Sequence, residues 1–157
     1  MRPLITVDPG KGGAIVWGKT LQDINFCNMP QTEMDAINLF EDIADQLEHP
    51  EVWCEQITGF MAGLAGVSPK AMFTFGRQYE RVRMAALANL LTLREITPTK
   101  WMKAAGIPLG QKKMLGATQW KNYLKQQCQL RFPEISGKIT LKNADALLIY
   151  YALQNPN

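Results

Sequence analysis

Two short apolar runs in this chain each end at an acidic residue. Residues 4–7 read Leu-Ile-Thr-Val and lead into Asp8, and residues 52–54 read Val-Trp-Cys and lead into Glu55. Short runs rich in β-branched and aromatic residues are typical of buried strands. Because ligands gather at the carboxyl ends of strands in open α/β sheets, we expect the two acids to face one site.

The rest of the chain alternates strand and helix patterns. Residues 14–17 and 21–26 predict strands that form hairpins with the first, and residues 33–48 predict an amphipathic helix capped by Thr32. Further elements are predicted as helices at 70–89, 112–130 and 143–154, a strand at 90–96 and a helical turn after Thr97 and Pro98. This order predicts a mixed α/β domain with antiparallel hairpins beside a parallel strand pair.

Length and composition limit the class of protein. The chain has 157 residues, of which 46% are hydrophobic and 20% are charged, as expected for one globular domain over residues 1–157. No apolar run approaches the roughly 20 residues that a membrane span needs, so we expect no membrane partner. The first residues lack the cleavage site of a signal peptide, and we therefore expect a cytoplasmic protein. The compactness of the chain suggests a bacterial, viral or prophage origin.

The sequence does not indicate a disulfide framework, a zinc site or a catalytic histidine. Cys27, Cys54 and Cys128 lie far apart in the sequence, which argues against both a disulfide framework and a zinc cluster. The single histidine, His49, cannot supply a zinc site or activate a nucleophile alone, and its position beside Pro50 is typical of a helix end.

Charge is unevenly distributed along the chain. Residues 33–51 contain seven carboxylates and no lysine or arginine, whereas residues 94–142 contain ten lysines and arginines. Such a distribution gives the fold one basic side, which suits a phosphate backbone. The alternative is a helix surface that is basic without binding nucleic acid.

A third acid, Asp145, lies in the first turns of the last predicted helix. Together with Asp8 and Glu55 it completes a set of oxygen donors of the kind that Mg²⁺ or Mn²⁺ requires. Clustered carboxylates repel one another unless a cation neutralises them, and two ions about 4 Å apart can stabilise the attacking water and the leaving oxygen of a phosphodiester. Each acid alone also has a structural explanation, as a turn former, a strand-end charge or a helix N-terminal residue.

Three motifs carry a family resemblance. Residues 7–14 read Val-Asp-Pro-Gly-Lys-Gly-Gly-Ala, residues 54–56 read Cys-Glu-Gln, and residues 144–147 read Ala-Asp-Ala-Leu. In order and spacing they resemble the active-site motifs of RuvC-like Holliday junction resolvases. The similarity covers nearly the whole chain, including Phe-Gly-Arg at 75–77 and Ile-Thr-Pro at 96–98.

The resemblance implies a ribonuclease H-like fold, in which helices flank a mixed five-stranded sheet. It implies a homodimeric crossover junction endodeoxyribonuclease of DNA recombination and repair, which nicks four-way junctions or other branched DNA. It implies Mg²⁺ or Mn²⁺ as the cofactor, two ions per active site, with Asp8, Glu55 and Asp145 as metal ligands. Apolar residues of the helix at 70–89, among them Met72, Phe73, Met84 and Leu87, are candidates for the dimer face or for core packing.

Further site residues follow from the same resemblance. Phe60 falls near the position of an aromatic residue that stacks on a base at the opened junction, although it can equally anchor its loop in the core. Lys112 and Lys113 follow Gly110, near the position of a basic residue beside the scissile phosphate. Lys113 is a candidate for catalysis and Lys112 for DNA binding, and the sequence leaves open which of the two faces the phosphate.

Three other basic residues, Arg77, Lys100 and Lys103, are weaker candidates for contacts with the DNA backbone. Each of them also fits the ordinary description of a solvated surface charge.

The chain departs from the family pattern at Lys142, where these resolvases carry an acid or a histidine three residues before the last aspartate. That offset predicts that residues 142 and 145 share a helical face. A protonated lysine cannot bind a metal, and Asn143 is the only other oxygen donor nearby. Three explanations of Lys142 are open. The lysine replaces the charge of one metal, or the second metal is held more loosely by the three acids and water. In the third, the chain is a weakened or altered enzyme that mainly binds junctions.

A first strand followed by an aspartate and glycines is not unique to these resolvases. The same pattern occurs in actin-like ATPases and sugar kinases. These require two such domains around a nucleotide, and 157 residues leave no room for the second. A transposase or ribonuclease H proper is a nearer alternative.

Overall fold

The computed structural model describes residues 2–10, 12–56 and 68–155. Its strands are β1 (Leu4–Val7), β2 (Ala14–Gly18), β3 (Ile24–Asn28), β4 (Glu51–Glu55) and β5 (Leu93–Ile96). Its helices are α1 (Glu33–Leu47), α2 (Pro69–Ala88), α3 (Pro98–Ala104), α4 (Gln111–Arg131) and α5 (Ala144–Gln154), with a 3-10 helix at Pro133–Lys138. In these residues no helix has the length and apolar character to span a membrane.

The five strands form one mixed sheet in the order β3-β2-β1-β4-β5. Strand β2 pairs antiparallel with β1 and β3, while β4 pairs parallel with β1 and β5. The prediction of antiparallel hairpins beside parallel strands is therefore confirmed. Strand β1 is the central strand, and both of its neighbours shield it from solvent.

Helices cover both faces of the sheet. Because side chains alternate along a strand, Leu4 of β1 packs with α3, α4 and α5 on one face, while Ile5 and Val7 pack with α1 and α2 on the other. On the first face the Thr6 hydroxyl donates a buried hydrogen bond of 3.0 Å to the Ala146 carbonyl. This bond fixes the first turn of α5 against the central strand.

Two strand boundaries differ from those that the sequence predicts. Strand β3 begins at Ile24 because the Thr20 hydroxyl accepts hydrogen bonds from the amides of Gln22 and Asp23 and forms a turn there. Strand β5 begins at Leu93 because Leu90 adopts a left-handed conformation, with φ of 54°, just beyond α2. In both cases a local turn replaces the first residues of the predicted strand.

Helix α4 is not the continuous helix that the sequence predicts. Gly116 has φ of 70° and ψ of 169°, so the helix is kinked there. A side chain at this φ would be strained, and glycine is the residue that adopts it most readily. The kink changes the direction of the first turns of α4, which carry Lys112 and Lys113.

Gly13 determines how closely β1 and β2 meet at their turn. Its amide donates a hydrogen bond of 2.9 Å to the Gly10 carbonyl, and a Cβ at residue 13 would collide with the Asp8 backbone carbonyl. A Cβ at Gly12 would meet no atom within 4 Å. The close approach places Asp8 immediately beside the glycine turn.

We predict that Gly13→Ala lowers the free energy of unfolding by about 2 kcal/mol or more, since backbone atoms must move to admit the methyl group. Gly12→Ala is the matched control and should change stability little. Urea unfolding of the two variants and the native protein measures both values. Equal stabilities for the two variants would contradict this account of the turn.

Candidate active site

Asp8, Glu55 and Asp145 line one cavity of about 450 Å³, here called the acid cavity. Asp8 directly follows β1 and Glu55 ends β4. The parallel register pairs Val7 with Cys54, so Asp8 and Glu55 are the next positions along the two strands. Asp145 is the second residue of α5, whose first turn is fixed on β1. The structure thus brings together the three acids that the sequence singles out.

Asp145 is the most constrained of the three acids. Its side chain is only 8% exposed, and Oδ2 forms an ion pair with Nζ of Lys121 from α4. Its other oxygen, Oδ1, is buried and has no hydrogen-bond partner among the described residues. A buried carboxylate oxygen without a partner is unfavourable unless a ligand or a cation completes its coordination.

Glu55 is held by an indole. Its Oε1 accepts a hydrogen bond of 2.9 Å from Nε1 of Trp101, which is fully buried in α3. Burial and the negative charge of Asp8 together raise the pKa of the Glu55 carboxyl to about 7, while the Trp101 hydrogen bond acts in the opposite direction. The strand-end acid is therefore partly protonated near neutral pH when no cation is bound.

Asp8 is held by its own turn, because its Oδ1 accepts a hydrogen bond of 3.1 Å from the Gly10 amide. Burial raises the pKa of the Asp8 carboxyl, and the negative charge of Asp145 adds to the effect. The Gly10 hydrogen bond lowers this pKa and limits the shift. Asp8 and Glu55 both carry the electrostatic signature of carboxylates crowded together away from water.

Lys121 is the site residue that sequence reasoning missed. Burial alone would lower the pKa of its amine, but the Asp145 carboxylate, with help from Asp8 and Glu55, raises it above its ordinary value. Lys121 therefore carries a positive charge among the three acids. One sequence signal was present, since Trp120, Leu124 and Cys128 form a buried stripe at four-residue spacing and Lys121 lies at its edge.

Lys142 precedes the helix that carries Asp145, although both residues line the acid cavity. Helix α5 begins at Ala144, and Lys142 lies in the preceding turn, where it is exposed. Asn143 holds this turn, because its Oδ1 accepts from the Thr140 amide at 2.7 Å and its Nδ2 donates to the Lys138 carbonyl at 3.0 Å. Lys142 lines the acid cavity but, among the described residues, forms no ion pair with an acid.

A second cavity, of about 350 Å³, adjoins the acid cavity; the two share Glu55, Phe75, Lys121 and Asp145. Both lysines are exposed, and Lys112 but not Lys113 lines this second cavity. From the sequence, Lys113 is the candidate for catalysis, but the sequence leaves open which of the two lysines faces the phosphate. Adjacent helical residues point about 100° apart, and of the two lysines Lys112 is the one that lines the cavity.

Of the remaining candidates, three line neither of these cavities and one lies outside the described structure. Arg77 pairs with Glu33 at 3.6 Å, and its guanidinium lies over the Phe73 ring. Lys100 and Lys103 are exposed on α3. Phe60 lies outside the described residues, and its role stays a prediction.

The donor set fits a hard divalent cation. Three carboxylates line one cavity, and one of their oxygens is buried without a partner. Over residues 2–10, 12–56 and 68–155, however, no three acidic, histidine or cysteine side chains are arranged to hold a metal ion as they stand. Protein donors engage the acids instead, since Lys121 pairs with Asp145, Trp101 with Glu55 and the Gly10 amide with Asp8.

Known structures share this architecture. RuvC of T. thermophilus in complex with a Holliday junction substrate superimposes with a TM-score of 0.60 over 96% of this chain and 91% of that chain, at 13% sequence identity. The chain has a RuvC-like fold. A second RuvC structure from Thermus thermophilus matches with a TM-score of 0.49, 13% identity, and coverage of 99% of this chain and 98% of that chain.

This RuvC-like fold is of the ribonuclease H-like class, with the mixed five-stranded sheet and flanking helices that the sequence predicts. No protein-family model and no curated protein matches the chain at the sequence level. At 13% identity the likeness establishes the fold. The chemistry must therefore be argued from the chain's own site residues.

We predict that Glu55→Gln stabilises the metal-free protein above neutral pH. The folded-state pKa is about 7 against an ordinary value of 4.5, so the folded protein keeps a proton that the unfolded chain releases between these values. The stability of the native protein therefore falls as pH rises through this window. The glutamine cannot ionise and still has an oxygen to accept the Trp101 hydrogen bond.

Thermal unfolding in EDTA measures this effect. Glu55→Gln should exceed the native protein by about 2 kcal/mol at pH 8, and the difference should shrink towards pH 4.5. Glu95→Gln, which replaces an exposed glutamate on the neighbouring strand β5, is the control. A Glu55→Gln advantage that does not depend on pH would show that Glu55 ionises freely in the folded protein.

Proposed function

We propose that this chain is a metal-dependent endonuclease that hydrolyses phosphodiester bonds in Holliday junctions or other branched DNA. A single nuclease domain spanning residues 1–157 would carry the activity. The observation that supports it most directly is the convergence of Asp8, Glu55 and Asp145 on one cavity. Three crowded carboxylates, two of them with raised pKa values, are unfavourable for stability and are best explained by binding a cation.

Asp8, Glu55 and Asp145 would hold Mg²⁺ or Mn²⁺, and such an ion supplies a charge that stabilises developing negative oxygen and lowers the pKa of a water. The protein's own part is to orient the acids. Trp101 holds Glu55 and the Gly10 amide holds Asp8, so two of the three carboxylates are positioned by fixed donors before substrate binds. Glu55, whose pKa is about 7 when no cation is bound, would release its proton when it binds the cation.

The cavity walls suit a nucleic-acid backbone. Lys142 lines the acid cavity, Lys112 lines the adjoining cavity, and both side chains are exposed. Lysines at these positions act as point charges towards phosphate oxygens. The turn formed by Gly10, Gly12 and Gly13 also lines the acid cavity and leaves room for the backbone of a DNA strand.

The fold supports branched DNA as the substrate class. The RuvC structure to which this chain is similar was solved with a Holliday junction substrate, and the likeness spans 96% of this chain. We propose the same substrate class here, with junctions preferred over duplex DNA. Phe60, Arg77, Lys100 and Lys103 remain proposed DNA contacts.

A second candidate function is a catalytically silent protein that binds branched DNA. The observation that favours it is the Lys121–Asp145 ion pair, which already neutralises one carboxylate of the centre. Such a protein would keep the fold and the basic walls but would not require the carboxylates for turnover. The two functions differ in what happens when one acid is removed.

We predict that Asp8→Asn reduces cleavage of a labelled four-way junction by about 100-fold or more in Mg²⁺ or Mn²⁺, because a metal ligand is lost. Junction affinity, measured by gel shift in Ca²⁺, should change little. The asparagine oxygen can still accept the Gly10 hydrogen bond, so the turn is preserved. Asp42→Asn on the exposed surface of α1 is the control and should cut like the native protein.

The nuclease function is supported if the native protein and Asp42→Asn cut the junction and Asp8→Asn does not. Junction binding without cleavage by the native protein favours the silent binder. Equal cleavage of matched duplex and junction would leave a nuclease but contradict the preference for branched DNA.

We also propose that the protein is a homodimer that pairs through α2. Phe73, Met84 and Leu87 are exposed by 68%, 37% and 75%, so they do not serve the core packing that was the alternative for them. Leu90, just beyond the helix, is also exposed, by 88%. Exposed apolar side chains grouped in this way are typical of interfaces.

We predict that Leu87→Glu converts a dimer into a monomer, because a charge replaces an apolar contact at the interface. Leu130→Glu is the matched control, since Leu130 of α4 is 74% exposed but lies apart from the α2 surface. Sedimentation equilibrium measures the mass of each variant. A native protein that is monomeric at every concentration, or a dimer that survives Leu87→Glu, would contradict this interface.

A further inference from the structure

The protein itself balances part of the negative charge of the three carboxylates in the acid cavity. Lys121 reaches from α4 to Asp145 on α5 and forms an ion pair with Oδ2. The lysine side chain is 47% exposed, while that of Asp145 is 8% exposed, so the flexible stem crosses from the surface to a buried carboxylate. The same amine is attracted by Asp8 and Glu55.

An ammonium group in this position does electrostatically what a second metal ion would do. Each places positive charge between carboxylates that otherwise repel one another. The lysine differs because it needs no ligand set and cannot dissociate from the protein. A cation bound at Asp145 Oδ2 and the Lys121 amine cannot occupy the same position.

We propose that Lys121 replaces one of the two metal ions, so that the centre binds a single divalent cation. The inference rests on the metal centre of the proposed function and changes its stoichiometry from the two ions that the family resemblance implies. Asp145 Oδ1, which is buried without a hydrogen-bond partner in the described structure, remains as a donor to that one ion. Asp8 and Glu55 supply the others.

Lys142 does not serve this purpose, although the sequence makes it the first candidate. It is exposed in the turn before α5, whereas the amine of Lys121 is paired with Asp145. Both lysines line the acid cavity. The two residues therefore form a matched pair, in which one amine is engaged with the carboxylates and the other is not.

The test is a Mn²⁺ titration of metal-free protein at low ionic strength, in which electron paramagnetic resonance measures the free Mn²⁺. The native protein should bind one ion. Lys121→Met, which keeps the aliphatic stem without the charge, should bind a second ion or bind Mn²⁺ roughly tenfold more tightly, since lysine and metal no longer compete. Lys121→Arg and Lys142→Met should bind like the native protein.

Thermal unfolding in EDTA gives a readout that needs no metal. Lys121→Met should lower Tm by about 2–4 °C, because Asp145 loses its only cationic partner among the described residues. Lys142→Met should leave Tm unchanged. In saturating Mn²⁺ the deficit of Lys121→Met should close, since the ion then neutralises the carboxylate.

Two Mn²⁺ ions bound tightly by the native protein would overturn the inference, whether or not Lys121→Met folds. So would a Lys121→Met variant that titrates like the native protein. If in either case the native protein cuts junctions and Asp8→Asn does not, the proposed nuclease stands without the lysine's role. Absence of Mn²⁺ binding in every variant, with no cleavage, would overturn the metal-dependent function and this inference together.

Discussion

The mutual repulsion of three carboxylates is the constraint on which this site depends. Asp8, Glu55 and Asp145 line one cavity, and burial together with their mutual repulsion raises the pKa values of Asp8 and Glu55. A folded chain tolerates such crowding only where protein donors offset it. Here each acid has its own donor, the Gly10 amide, the Trp101 indole and the Lys121 amine respectively.

Each of those donors depends on a different part of the fold. The Gly10 amide belongs to the turn between β1 and β2, which Gly13 keeps tight. The indole comes from α3, which follows the last parallel strand, and the amine comes from α4, which packs on α5. The buried Thr6–Ala146 hydrogen bond then aligns the start of α5 with the end of β1. The helices that supply Asp145 and two of its neighbouring donors, α3, α4 and α5, all pack on one face of the sheet, so the site assembles only when that face is formed.

The strand-end acids could be predicted from the sequence because local patterns encode them. A short apolar run predicts a strand, and the crossover helix predicts a parallel neighbour, so Asp8 and Glu55 follow from pattern alone. Lys121 could not be predicted in this way, because its partner is 24 residues distant and the contact depends on how α4 packs against α5. The surroundings of Lys142 depend on a local turn in the same way, since Asn143 bonds to the Thr140 amide and the Lys138 carbonyl and α5 begins at Ala144, one residue after the predicted start.

The claim that the acid cavity is a cation centre has a direct test in a crystal grown with Mn²⁺ and measured near the manganese absorption edge. The account predicts an anomalous difference peak within coordination distance, about 2.0–2.4 Å, of oxygens from Asp8, Glu55 and Asp145, with Lys121 still paired to Asp145. A cavity without a peak at saturating Mn²⁺, or a peak bound only at surface acids elsewhere, would contradict it.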